Sequence, residues 1–432
     1  MKVRSAEPVS TPWGLCFDAS KHAPVKKNLL FIPGPVTVAE PVLAAMSKPL
    51  IDHRGPQFAA LMQRIDAGLR PIFGTQNADV LMLGSSGTGG LEAAIAGTFS
   101  PGDTVLAAPV GVFGRRLIAI AQTYGVNVDV LETDLGCALD AQALAERLEA
   151  DTQRKYKGIL LTHNETSTGV QNDMAQVAPI VAEHGALTVV DSVSGMGATE
   201  FSMDEWGFDI VVSASQKVLA APPGVAMVAV SRRAWKSIEA SKTPRFYFDL
   251  LKAREFARQG QTPWTPPVSV LFALDAALAN YHAEGAQHVW ARHAIYAQAI
   301  RAAFAALGLE VFSQPGAHSV TVVAGKVPSG VDAGMLLRKL REERGVSLSG
   351  GQLELKGKIV RMGTMGDVSQ TDVLGALGAL EMALLEYDVP VHVGAGVQAA
   401  LRVFLDLAAG ARRDAVQKPA EPAAVQTTAA SR

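Results

Sequence analysis

The chain is short of cysteine: Cys16 and Cys137 are the only two among 432 residues. They suffice neither for a disulfide framework nor for a metal cluster, and such scarcity suits a reducing cytosol. Neither sign of charge is in excess, with 39 Lys and Arg against 41 Asp and Glu and a net charge of −2. Electrostatics therefore gives no reason to expect nucleic acid or an anionic membrane as a partner, and small-molecule chemistry is favoured. No run of about 18 apolar residues is present to cross a membrane. The opening residues lack the basic start and apolar stretch of an export signal. Neither the Walker A pattern nor the dinucleotide glycine spacing occurs, and no internal repeat is visible. These absences lead to the expectation of a soluble, cytoplasmic protein. What is present is 48% hydrophobic and 19% charged, enough for two or three domains around a large core.

From Asp79 onward, short apolar runs alternate with helical stretches. Val80–Leu83, Val105–Ala108, Val126–Val130, Ile159–Leu161, Leu187–Val190, Ile210–Val212 and Val225–Val230 read as strands. Leu91–Phe99, Arg115–Tyr124, Ala141–Leu148 and Met174–His184 read as helices. Continuous apolar strands mean burial on both faces, so the expected fold is α/β, with a mostly parallel seven-stranded sheet. Ligands of such sheets bind at the carboxyl ends of the strands. The residues following each strand are therefore the candidates for chemistry.

After the first strand, Gly84-Ser85-Ser86-Gly87-Thr88-Gly89-Gly90 leads into a helix. Glycines and free amides at a helix start suit a phosphate, although a plain glycine-rich turn has the same composition. After the second, Phe113 sits in a loop between glycines, where it either covers a flat ligand or plugs the core. Thr162-His163-Asn164-Glu165-Thr166-Ser167-Thr168-Gly169 is dense in hydrogen-bonding side chains. Asp191 either caps the next turn or pairs with a buried cationic nitrogen. After Ile210–Val212 comes Ser213-Ala-Ser-Gln216-Lys217, closed by Pro222-Pro-Gly224. A lysine desolvated there can lose its proton and attack an aldehyde carbon. Phosphate cradle, aromatic plate, hydroxyl cluster, carboxylate and lysine together are what pyridoxal 5′-phosphate requires.

Those stretches, with Pro33-Gly34-Pro35, Thr265-Pro-Pro-Val268 and Lys358-Ile-Val-Arg361-Met-Gly363, resemble the class V aminotransferases of PLP fold type I. Within that family the resemblance is to the alanine/serine–glyoxylate (pyruvate) aminotransferases, and it runs from about Leu29 to about Tyr387. It implies that Lys217 forms the Schiff base and Asp191 meets the pyridinium nitrogen. Thr166 would reach the ring oxygen, and Phe113 would stack on the ring. Ser86, Gly87, Thr88 and Gln216 would hold the phosphate, and Val193 would also touch the cofactor. Arg361 would bind the substrate carboxylate, with the Gly34 backbone nearby. Thr262 and Thr265 would reach across a two-fold axis into the other subunit's cofactor site, making a homodimer with shared sites. The chain departs from well-known members at Thr88, where many have histidine, and at Thr262, where many have tyrosine.

The expected organisation is an N-terminal arm (1–27), a large cofactor-binding domain (28–283), a smaller α+β domain (284–410) and a disordered tail (411–432). The expected activity is ping-pong transfer of an amino group from serine or alanine to glyoxylate or pyruvate. A different donor, such as aspartate or an amine, is the alternative, as is another class V enzyme or a non-catalytic protein of this fold. A cysteine-desulfurase-like lyase needs a thiol in the second domain, and both cysteines lie far earlier.

Overall fold

The computed structural model describes residues 28–417 together with the short antiparallel pair Val9–Ser10 and Cys16–Phe17. The rest of the expected arm, and residues 418–432 of the expected tail, lie outside the described residues.

All seven expected strands form one sheet. Its spatial order is Asp79–Gly84, Val225–Val230, Ile210–Ala214, Leu187–Asp191, Tyr156–Thr162, Thr104–Ala107, Asn127–Val130. Pairing is parallel except around Val225–Val230, which runs antiparallel to both neighbours. The link from Ala214 to Val225 is too short for a helical crossover, so the chain turns back on itself beside the strand it has just left. Lys217 lies in that link.

Side chains alternate across the sheet with the two-residue period of a strand. Val211 joins the core beneath Phe58, Leu61, Ile65 and Leu69 of the helix Pro56–Phe73, while Ile210 and Val212 join the opposite core with Leu91, Ile95 and Trp235. Both faces are covered, which is why the strands read as unbroken apolar runs.

The helix Val268–Glu284 ends at Gly285, whose φ of +84° is free of strain only in glycine, and Ala286–Ala306 then carries the chain into the smaller domain. There, Val322–Lys326, Ile359–Gly363 and Ser349–Gly350 make an antiparallel sheet backed by Ala333–Arg344, Gln370–Leu385 and Ala395–Gln417. The final helix starts on a carboxylate: buried Glu381 accepts from the amides of Gly394 and Gly396.

Three local expectations shift. Ser319–Val323 reads as a strand in the sequence, yet the strand begins at Val322, because the hydroxyls of Ser319 and Thr321 bond the side chain of Asn164. The helices expected from Leu91 and Arg115 begin at Gly87 and Val112. Leu29–Leu30 pairs in parallel with Val346–Ser347, and Phe31 is buried among Phe304, Leu336 and Val360. Phe31, expected in the large domain, thus packs in the core of the smaller one, with Leu29 partly buried against it.

Candidate active site

Two neighbouring parallel strands define the site. Leu187–Asp191 ends in a carboxylate, and Ile210–Ala214 ends four residues before Val218, with Lys217 in between. Asp191 and Lys217 line one cleft together with Ser86, Gly87, Thr88, Phe113, Thr166, Val193 and Gln216. The cleft encloses about 510 Å³, part of it open to solvent, which is the size of a small-molecule site. Nine of the residues singled out from sequence therefore meet at one place.

Their surroundings set their charge. Burial holds the Lys217 ammonium down to about 8; Asp191 opposes the shift, and Arg361 and Arg116 reinforce it. Burial pushes Asp191 up to about 6 against the pull of the Val193 amide, which donates to its Oδ1 at 2.9 Å. A lysine that sheds its proton near neutrality and a dry carboxylate facing the same space are a pairing typical of reactive sites.

The cradle is the first turn of the helix Gly87–Thr98, not a loop ahead of it. Ser86 is its N-cap residue without a side-chain cap, and the amides at the first helical positions have no intrahelical acceptor. Glycine is required there by packing: a Cβ on Gly87 would sit 2.9 Å from Val193 Cγ2, and one on Gly90 2.9 Å from Val212 Cγ1. The helix lies so close to the sheet that its start opens into the cleft. The Oε1 of Gln216 is buried there without a partner.

Phe113 stands in the first turn of the helix Val112–Thr123, where sequence had placed it in a loop. Glu165 fixes that turn. Wholly buried, it accepts from the amides of Phe113 (3.0 Å) and Gly114 (3.1 Å) through one oxygen and from Ser167 through the other. Burial raises the Glu165 carboxyl, and these four bonds oppose the rise. His163 is likewise structural: buried against Phe201 and bonded to Ser192 Oγ, it is held down to about 4 and stays neutral.

Arg361 arrives from the smaller domain. Its Nε donates to the carbonyl of Gly350 and its Nη1 to the carbonyl of Thr166, both at 2.8 Å. Among the described residues it forms no ion pair, and burial lowers it to about 10. Gly34 reaches the site from the other side. With φ at +108°, a Cβ on it would fall 2.7 Å from Lys217 Nζ, whose ammonium donates to the carbonyl of Pro33.

Thr262 and Thr265 are not in this cleft. They line a separate one with Met82, Leu83, Tyr247, Trp264 and Pro267. Thr262 Oγ1 donates to the carbonyl of Trp264, and Thr265 is exposed. Arg54 holds their segment: it donates to Gln261 Oε1 (2.9 Å) and to the carbonyls of Thr262 (2.7 Å) and Pro263 (3.3 Å).

Sequence reasoning gave no role to Arg116, Asn164 or Ser194, all of which line the cleft. Asn164 and Ser194 follow strands already singled out, so the strand-end rule could have found them. Arg116 stands three residues after Phe113 on the same helical face, where i and i+3 side chains meet.

Residues 42–364 match the family model "Aminotransferase class-V". The chain is 38% identical to the L-aspartate–glyoxylate aminotransferase of Paracoccus denitrificans, over 90% of this chain and 99% of the relative. It is 36% identical to the serine–glyoxylate aminotransferase of Arabidopsis thaliana, over 87% and 94%. The solved structure of the ureidoglycine–glyoxylate aminotransferase of Bacillus subtilis superposes with a TM-score of 0.83 at 30% identity, covering 89% of this chain and all of that one. The chain belongs to the class V aminotransferase family; it is an aminotransferase with the α/β fold of PLP fold type I. Among the described residues, no helix is long and apolar enough to cross a membrane.

Proposed function

We propose that the chain is a pyridoxal 5′-phosphate-dependent aminotransferase that moves the amino group of serine or alanine to glyoxylate or pyruvate. The observation that carries this reading is the pairing of Lys217 and Asp191 at the ends of adjacent parallel strands, facing one cleft. The residues present fit the cofactor. The first turn of Gly87–Thr98 and Gln216 offer hydrogen-bonding groups for a phosphate, Phe113 a plate for the ring, Thr166 a hydroxyl, and Asp191 a partner for the ring nitrogen. When bound, the cofactor supplies an electrophilic carbon and an electron sink.

The chain's own groups do the rest. With the cofactor bound, Lys217, in part uncharged near pH 8, would be the amine that holds its carbonyl carbon and, when free, the base that would move the proton of the donor's Cα. Asp191 would keep a proton on the ring nitrogen. Arg361 holds the carboxylate that donor and acceptor share, and Gly34 keeps the space beside Lys217 open.

Small donors fit better than dicarboxylic ones, whose second carboxylate would need a cation of its own: Arg54 is committed to residues 261–263, and Arg116 is engaged by Thr88 and the Phe113 ring. The relative named for L-aspartate makes aspartate the rival donor. The reading includes a cytoplasmic homodimer in which Thr262 and Thr265 serve the partner's cofactor. Their place outside their own cleft, on a segment braced by Arg54 and three prolines, supports that arrangement.

A donor screen tests the proposal. The cofactor-loaded protein is mixed in turn with serine, alanine, aspartate and pyridoxamine, and the loss of visible absorbance is followed, then its return with glyoxylate or pyruvate. Serine or alanine should act fastest. Aspartate outperforming both would overturn the donor assignment, and a chain that neither takes up the cofactor nor fixes it on borohydride treatment would overturn the whole reading.

A further inference from the structure

Five arginines of the large domain stand within 3 Å of a carboxylate: Arg64 with Asp275, Arg70 with Asp66, Arg115 with Glu354, Arg233 with Asp209 and Arg254 with Asp79. Arg116 forms no ion pair among the described residues, although it lines the cleft. Its guanidinium lies 4.6 Å from the centre of the Phe113 ring, and its Nη1 donates to Thr88 Oγ1 at 3.2 Å. A planar cation on an aromatic face is held in place by the ring's quadrupole, so Arg116 braces two helix starts against each other.

The charge balance of the cleft shows what this cation is for. Lys217 and Arg116 share the lining with one carboxylate, Asp191, and act on its charge. Arg361, outside that lining, is bound to the carbonyls of Thr166 and Gly350. Arg116 lies against the cradle, through Thr88. A hydroxyl has one hydrogen and accepts as well as donates. By accepting from Arg116, Thr88 is left to donate its hydrogen into the cradle, beside the free amides of the helix start.

We propose that Arg116, acting through Thr88 and by its own charge, is the cation of the phosphate subsite, and that it fixes the aromatic plate to that subsite. The chain has threonine at position 88, and with Arg116 behind it a neutral side chain becomes a charge-backed donor. This inference rests on the cofactor reading given above.

The test compares two ligands that differ only in the phosphate. The cofactor-free protein, its Arg116→Gln, Arg116→Lys and Thr88→Val variants, and the double variant are titrated with pyridoxal 5′-phosphate and with pyridoxal, following absorbance. Inorganic phosphate serves as competitor. Arg116→Gln should weaken pyridoxal phosphate by about 10- to 100-fold and pyridoxal by less than threefold, and should raise the phosphate concentration needed to compete. Arg116→Lys should recover part of the loss. Thr88→Val should lower the same preference, and the double variant should lose little more than Arg116→Gln alone. Equal weakening of both ligands would reduce Arg116 to a support for Phe113 and overturn the proposal, as would an unchanged preference. If Arg116→Gln does not fold, Thr88→Val decides: a preference unaltered by it refutes the route through Thr88. A parent protein that binds neither ligand would instead sink the cofactor reading itself.

Discussion

Two clefts lie on either side of the end of the strand Asp79–Gly84, and they are built differently. The one containing Lys217 is lined by hydroxyls, the amides of Asn164 and Gln216, the guanidinium of Arg116, and a carboxylate and a lysine whose protonation is shifted by burial. The one containing Thr262 and Thr265 has no charged lining residue and is walled by prolines, Met82, Leu83 and Leu271. Its rim carries a stack of rings, with half-buried Trp264 lying 4.9 Å from exposed Phe246 and 6.0 Å from exposed Tyr247. A site that performs acid–base chemistry keeps its polar groups desolvated and opposed to one another. In the second cleft Thr262 and Trp264 already donate to backbone carbonyls, and no such tension exists.

The sharpest way to break this contrast is to remove the lysine. Lys217→Ala should abolish turnover while much of the cofactor affinity survives, since the covalent bond is one anchor among several. Turnover within tenfold of the parent would take Lys217 out of the chemistry.

Next in size is Arg361→Lys, which should cost about 1.5–3 kcal/mol in kcat/KM, because a point charge does not reproduce a planar fork. The loss should fall on amino donor and oxo acceptor alike. A rise in KM for the donor alone would rule out a shared clamp.

The second cleft is probed by Thr262→Val with Thr265→Val, which should weaken cofactor retention by about 0.5–1.5 kcal/mol for each lost hydrogen bond. In hybrids with a Lys217→Ala chain, affinity at the intact lysine should recover if that site's threonines come from the other chain. No recovery in a verified hybrid would confine them to their own subunit.

The smallest effect is on stability. Asp191 has its ordinary carboxylate range in the unfolded chain and about 6 in the folded one, so folding disfavours its charge. The penalty is absent below the unfolded value, grows as pH rises towards about 6 and is fully present above it. Asp191→Asn should therefore raise the melting temperature of the cofactor-free protein by a few degrees at pH 8 and leave it nearly unchanged near pH 3.5. Equal shifts at both pH values would show that the carboxylate is not destabilised by burial.

The large sheet was legible because its strands are buried on both faces and are therefore apolar without interruption. Ile210–Val212 could be read with no knowledge of its neighbours. The strand-end rule then led to Ser86, Thr166, Asp191 and Lys217. What escaped depended on contacts between distant segments. The antiparallel course of Val225–Val230 follows from a short connection, which apolar character does not reveal. Glycines 87, 89 and 90 read as a loop, since glycine is a poor helix former, and only the nearness of Val193 and Val212 explains a helix start there. Ser319 and Thr321 looked like strand residues until Asn164, 155 positions before Ser319, engaged their hydroxyls. Arg54 carries no local sign of its role, because its partners lie more than 200 positions away.

The pairing of Leu29–Leu30 with Val346–Ser347 has a consequence for the order in which the molecule can be completed on the ribosome. Val346 is the 317th residue added after Leu29, which takes roughly 15–60 s at about 5–20 residues per second. Once Val225–Val230 has been made the seven-stranded sheet can close, yet Pro33 and Gly34 have no fixed position beside Lys217, because the strand that anchors them has not emerged. The surroundings of the reactive lysine are thus completed late, by an early segment returning to one made 317 residues after it.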